Sequence, residues 1–194
     1  MIWFAALAFV VAACGHAPRQ SVYHGIYVQN LPKQTTFHTN WIEPVHYGSS
    51  KYATFRVKEL RVGPRGWSAL VSFRNDSGQT LRLPTGGTRS PRDWGVGVFT
   101  DGTSTRIEDP GNYLIRADHV EPALPKALRP GASWSGRFSS PNPPRSRRVL
   151  RVLFGTFFWA GKPPAGFFGR FFVWVTTDFV HAPGPQGKAA ATGS

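Results

Sequence analysis

The chain predicts an all-β fold built as a single antiparallel β-sandwich, on three observations. Apolar residues recur with a two-residue period in several short runs, most clearly over 67–73, the spacing of a half-buried strand. No run carries a sustained apolar stripe at the 3.6-residue period of a helix. Twenty-one glycines and seventeen prolines punctuate the chain at hairpin intervals, too often for long helices. The segment left for a domain, about 130 residues, buries roughly two-thirds of its unfolded surface, enough for one core. The single cysteine leaves no intrachain disulfide, so burial must supply the stability.

Residues Ile2 to Ala13 are apolar or small without interruption. That matches the apolar region of a signal peptide and is too short to span a bilayer. No Lys or Arg precedes the run, where such segments ordinarily carry positive charge; a start codon further upstream would supply it. Val11-Ala12-Ala13-Cys14 resembles the lipobox of bacterial lipoproteins: a branched apolar residue, two small ones, then the cysteine that takes the lipid. The resemblance implies cleavage before Cys14, acylation of that residue and tethering of the mature chain to a membrane. The expected organisation is a signal peptide over 1–13, a lipid anchor and flexible stalk over 14–50, a β-sandwich over 51–181 and a disordered tail over 182–194. The stalk is rich in Ser, Thr, His, Asn and Pro, with one short strand over 22–28. The tail is poor in bulky apolar residues.

From Tyr52 the texture changes. Ala53, Phe55, Val57, Glu59 and Arg61 alternate with Thr54, Arg56, Lys58, Leu60 and Val62 in a loose strand period. Gly63-Pro64-Arg65-Gly66 is a turn, and Trp67, Ala69, Val71 and Phe73 then share one strand face, so the pair makes a hairpin. Asn75-Asp76-Ser77-Gly78 is a second strong turn signal. Further strands are expected over 80–83, 94–100, 103–108 and 132–138, the last behind the turn Arg129-Pro130-Gly131. Two long ones follow over 149–159 and 167–180, joined by a loop bounded by glycines over 160–166.

The order of a Trp-containing strand, Arg74-Asn75-Asp76-Ser77-Gly78, a short strand, then Leu128-Arg129-Pro130-Gly131 before a strand with Gly136-Arg137-Phe138 resembles the immunoglobulin-like domains of bacterial envelope lipoproteins. The resemblance covers roughly residues 53–180 and implies an immunoglobulin-like sandwich. Such families mostly bind or scaffold. Its motifs are turn chemistry, so it speaks to fold, and fold does not imply function. The cysteine pair that marks many immunoglobulin domains is missing.

Residue chemistry points away from an enzyme. The six histidines, His16, His24, His38, His46, His119 and His181, show no local ligand pairing of the kind zinc sites use, so no metal or other cofactor is expected. Asp101, Glu108, Asp109, Asp118 and Glu121 cluster in the middle third. They could support acid–base hydrolysis or metal handling with His119 if they converged, and they also have the form of turn residues. Ser139-Ser140-Pro141 is no nucleophile elbow, and Thr85-Gly86-Gly87-Thr88 lacks the ending of a phosphate loop.

Charge and aromatic content are more suggestive. Lys and Arg exceed Asp and Glu by 13. The excess concentrates late, at Arg137, Arg145, Arg147, Arg148, Arg151, Lys162 and Arg170, where only Asp178 opposes it beyond position 130. Such a field gathers anionic polymers, although Arg spread evenly over a surface would only maintain solubility. Aromatics crowd the same region, from Phe154 to Trp159 and from Phe167 to Trp174. Neighbouring strand residues point to opposite faces, so either both faces are covered or some rings are exposed. A candidate binding tip is therefore Trp159, Lys162, Phe167, Phe168 and Arg170. The expected function is a membrane-anchored, non-catalytic binding or structural lipoprotein of the cell envelope, at the outer membrane or cell surface. Its partners would be the membrane, through the lipid, and an anionic envelope polymer or an envelope protein. The envelope address removes most nucleic acid. The alternative is an envelope hydrolase or metal-handling protein using the mid-chain acids and a histidine.

Overall fold

The computed structural model describes residues 25–27, 34–83, 93–144, 148–164, 167 and 169–182. The expected signal peptide, Cys14 and nearly all of the expected tail lie outside them. Within them the chain is all-β, with the strands β1 (Gly25–Tyr27), β2 (Thr35–Phe37), β3 (Trp41–Tyr47), β4 (Ser50–Gly63), β5 (Gly66–Asn75), β6 (Leu81–Arg82) and β7 (Gly95–Phe99). The second half continues with β8 (Tyr113–Arg116), β9 (His119–Glu121), β10 (Ala127–Leu128), β11 (Ser133–Ser140), β12 (Arg148–Trp159), β13 (Phe171–Val175) and β14 (Phe179–Ala182).

Two sheets face each other. In the first, β12 is the spine: β14 and β13 pair along one edge, β7 and β6 along the other. β1 adds in parallel outside β14, and β8 and β10 extend β7 and β6. In the second sheet β2 and β3 share one edge of β4, and β5, β11 and β9 follow on the other. The inner faces meet through rings. Phe55 of β4 lies 4.5 Å from Phe154 and 5.4 Å from Phe157 of β12, and Trp94 meets Phe138 edge-on at 4.9 Å. All five are buried.

The β4–β5 hairpin forms as its turn chemistry dictates. Gly66 has φ +102°, and a Cβ there would meet the Ser140 carbonyl oxygen at 2.1 Å, so only glycine fits. The loose period over 53–62 has a cause: the ladder slips between Val57 and Glu59. This bulge re-phases the strand, so Leu60 and Val62 are buried and Arg61 is exposed. The two turn motifs behind the envelope-domain resemblance are hydrogen-bonded to one another. Buried Asn75 donates through Nδ2 to the Leu128 and Gln79 carbonyls, and its Oδ1 accepts from Ser77. Gly131 N–H donates to the Asn75 carbonyl at 2.8 Å.

Three expectations need correction. The segment expected as stalk up to residue 50 contains β2 and β3, which belong to the second sheet, with Trp41 and Val45 in its core. Trp41, Glu43 and Val45 do alternate with exposed Ile42, Pro44 and His46. Pro44 is tolerated because β3 is an edge strand. The strand expected over 103–108 is a series of turns. There Asp101 Oδ1 accepts from the backbone N–H groups of Thr103 and Ser104, satisfying the backbone locally instead of through a ladder. The long strand expected over 167–180 is broken into β13 and β14 by a turn at 176–178.

Candidate functional site

That break is made by two buried charged side chains. Arg151 of β12 is 0 % exposed. Its guanidinium donates to the carbonyls of Thr176, Thr177 and Gly102 and lies over the rings of Phe99 and Phe179 at 5.7 and 5.1 Å. Glu43 of β3, 3 % exposed, takes the other side of the turn. It accepts from the Thr177 N–H and hydroxyl at 2.7 and 2.9 Å and from the Asp178 N–H at 3.2 Å. Burial raises the Glu43 carboxyl above its ordinary value of 4.5, against the opposing hydrogen bonds from Asp178 and Thr177. A raised carboxyl is a candidate acid, but both of its oxygens are already occupied by the turn. Glu43 and Arg151 are structural.

The mid-chain acids divide between two places, the 101–112 loop and the β9–β11 region. Asp101 accepts from the Thr103 hydroxyl and from the Ser104 and Thr103 N–H groups, which hold it below the ordinary carboxylate value. Asp109 shares that loop through Ser104 and Arg106. Asp118 instead accepts from Ser140 and Asn142 beside β11, and His119 pairs with Ser139 across the ladder. Among the described residues no group of three His, Cys, Asp or Glu could hold a metal ion.

The loop of the candidate tip is tied down by its backbone. Beyond β12 the loop is pinned by Trp159 N–H on the Arg170 carbonyl, Ala160 N–H on the Thr80 carbonyl and Phe167 N–H on the Pro164 carbonyl. Trp159, Lys162 and Arg170 line one cleft of about 610 Å³ together with Arg82, Leu83, Phe158 and Pro163. Phe167 takes a different role. Its ring packs edge-on to Tyr52 and Trp159 at 5.7 and 5.3 Å, tying the loop to the opposite sheet. Trp159 is itself only 7 % exposed and forms wall rather than tip. Phe168 lies outside the described residues. Beside this loop, Phe158 and Phe171 face solvent, 38 and 56 % exposed. They are cross-strand partners 5.9 Å apart, and Arg82 sits opposite Phe158 on the other side of β12.

Arg82, Lys162 and Arg170 are all exposed, and among the described residues no carboxylate lines their cleft. Some cations are paired elsewhere, Arg137 with Glu59 at 2.9 Å and Lys51 and Arg74 with Asp76, while exposed Arg56, Arg61, Arg65 and Arg116 lie apart from the cleft. Among the described residues the three cleft cations have no ion pair. Arg82, Phe158 and Phe171 were missed from sequence, Arg82 because only the β6–β12 ladder brings it to the loop. Compared with known proteins, the chain matches no family model, no curated protein and no solved structure.

Proposed function

We propose that this chain is a membrane-anchored lipoprotein of the cell envelope whose β-sandwich is a non-catalytic binding module for an anionic envelope component. One observation carries the binding half. Three cations that have no ion pair among the described residues share a cleft with the Trp159 and Phe158 rings, so the site offers charge for anionic groups and flat apolar surface beside it. The address rests on the lipobox at Val11-Ala12-Ala13-Cys14. The immunoglobulin-like character of the sandwich is supported by the mutual hydrogen bonding of the Asn75 and Arg129-Pro130-Gly131 turns.

Binding is tested by titrating the protein with soluble polyphosphate. The wild type should bind, and Lys162→Ser/Arg170→Ser should bind at least about tenfold more weakly, as the loss of two charge contacts implies. Equal affinity of the two would remove the cleft as the site. The address is tested by intact mass after expression in a bacterial host. Wild type should lose its first thirteen residues and gain acyl chains, while Cys14→Ser stays unprocessed; a full-length, unmodified wild type would end the lipoprotein reading.

A further inference from the structure

The outer face of the first sheet is finished differently at its two ends. Toward the start of β12 it is covered: Phe99, Val149, Leu153 and Phe179 form a small second core with Ile107, Leu114 and Val175 packed on it. Toward the end of β12 the same face is bare. Phe158, Phe171 and Val173 stand exposed on it, while the alternate residues Phe172 and Trp174 pack inward against the main core. Arg82, Lys162 and Arg170 border this bare end.

We infer that the bare end is a bilayer-docking surface that rests the domain on anionic lipid headgroups, with Phe158, Phe171 and Val173 entering the interface. The inference deepens the binding reading above and rests on it, by naming the anionic component. Two arguments select a lipid surface. The first is composition: exposed rings and a branched apolar residue edged by cations, with no carboxylate in the adjoining cleft, match the headgroup boundary, where aromatic rings settle and anionic lipid attracts Lys and Arg. A soluble polyanion would use the cations and leave the rings in water.

The second argument is the path of the chain. β1 runs parallel to β14, with Gly25 opposite Phe179 and Tyr27 opposite His181. His181 in turn lies opposite Val149 of β12. β1 therefore runs away from the bare end, and its N-terminal side faces toward it. Gly25 sits at the level of Arg151, about 23 Å along the strand from Phe158. Eleven Cα-to-Cα steps lead from Cys14 to Gly25 and can reach at most about 36–40 Å. A lipid on Cys14 can thus lie in the same plane as the exposed rings, and tether and patch would engage one bilayer together.

The test uses the mature chain, residues 14–194 with Cys14→Ser, which keeps every described residue and removes both the lipid and the apolar leader. It is sedimented with vesicles of phosphatidylglycerol and phosphatidylcholine in equal parts, with vesicles of phosphatidylcholine alone, and titrated with polyphosphate. The expected result is binding to the anionic vesicles only, reduced at least about tenfold in Phe171→Ser/Val173→Ser and in Lys162→Glu/Arg170→Glu. The phenylalanine variant, whose two positions lie outside the cleft lining, should keep its polyphosphate affinity. Polyphosphate binding without vesicle binding, or vesicle binding unchanged in the phenylalanine variant, would overturn the docking inference and leave the binding reading standing. Loss of both ligands in the wild type would bring down the two together.

Discussion

Arg151 and Arg82 lie on or beside the same strand, each next to phenylalanine rings, and they do opposite things. Arg151 is roofed by the 176–178 turn and the Gly102 carbonyl; its two terminal nitrogens donate to three backbone carbonyls, and it lies over two rings. Arg82, seven rungs further along, borders exposed Phe158 with no ion pair among the described residues. The contrast teaches that an arginine beside aromatics becomes structural or available according to what covers it. Covered, its donors must be satisfied internally, because an unpaired buried charge is too costly. Uncovered, the same donors are held by water and can be given to a ligand.

The sharpest break of this comparison is Arg151→Met, which keeps apolar bulk but leaves the Thr176, Thr177 and Gly102 carbonyls without their donor. A buried polar group left unpaired costs about 1–3 kcal/mol, and of the three only the Thr176 contact is fully buried, so the loss should be at least about 3 kcal/mol. Urea denaturation followed by tryptophan fluorescence measures it. A loss below about 1 kcal/mol would mean that the turn finds other donors and that Arg151 is not its organiser.

Glu43→Gln gives a smaller effect that grows with pH. Burial raises the carboxyl in the folded state above its ordinary value of 4.5, so the folded chain holds this proton more tightly than the unfolded chain. The stability from that proton is complete below the unfolded value and is lost as pH rises through the folded one. At pH 4 the glutamine variant, an isostere of the protonated acid, should lie within about 1 kcal/mol of wild type. As pH rises above 4.5 and through the raised value, wild type should lose stability relative to the variant. Parallel curves for the two from pH 4 to 8 would place the titration elsewhere.

What the sequence discloses and what it hides follow the same division. The 63–66 turn, the Asn75 turn and the strand pairs around them are legible because local chemistry decides them. β3 is not, because Pro44 interrupts the run and the inward alternation of Trp41, Glu43 and Val45 has a charge at its centre. Glu43 and Arg151 read as surface residues in a string of letters, since nothing local states that two sheets close over them. At the tip, Trp159, Lys162 and Arg170 could be grouped because they flank one loop. Arg82 could not be, lying 76 residues before Phe158 and joined to it only by a ladder. Which rings face outward was hidden too, because the register slips between Phe154 and Phe157 and simple alternation fails there.

The smallest expected effect is the one that most sharpens the comparison. If Lys162 and Arg170 are available rather than structural, Lys162→Ser/Arg170→Ser should leave unfolding free energy within about 0.5 kcal/mol of wild type, the range of surface substitutions. Removing two like charges from an uncompensated patch should even relieve some repulsion, giving a slight gain at low salt that fades as salt screens it. A thermal scan at low and high ionic strength reads both. A clear loss of stability would mean that these side chains hold the 160–170 loop in place; the tip would then be another covered region whose cover has not been recognised, and Arg82 would stand alone as the free cation beside Phe158.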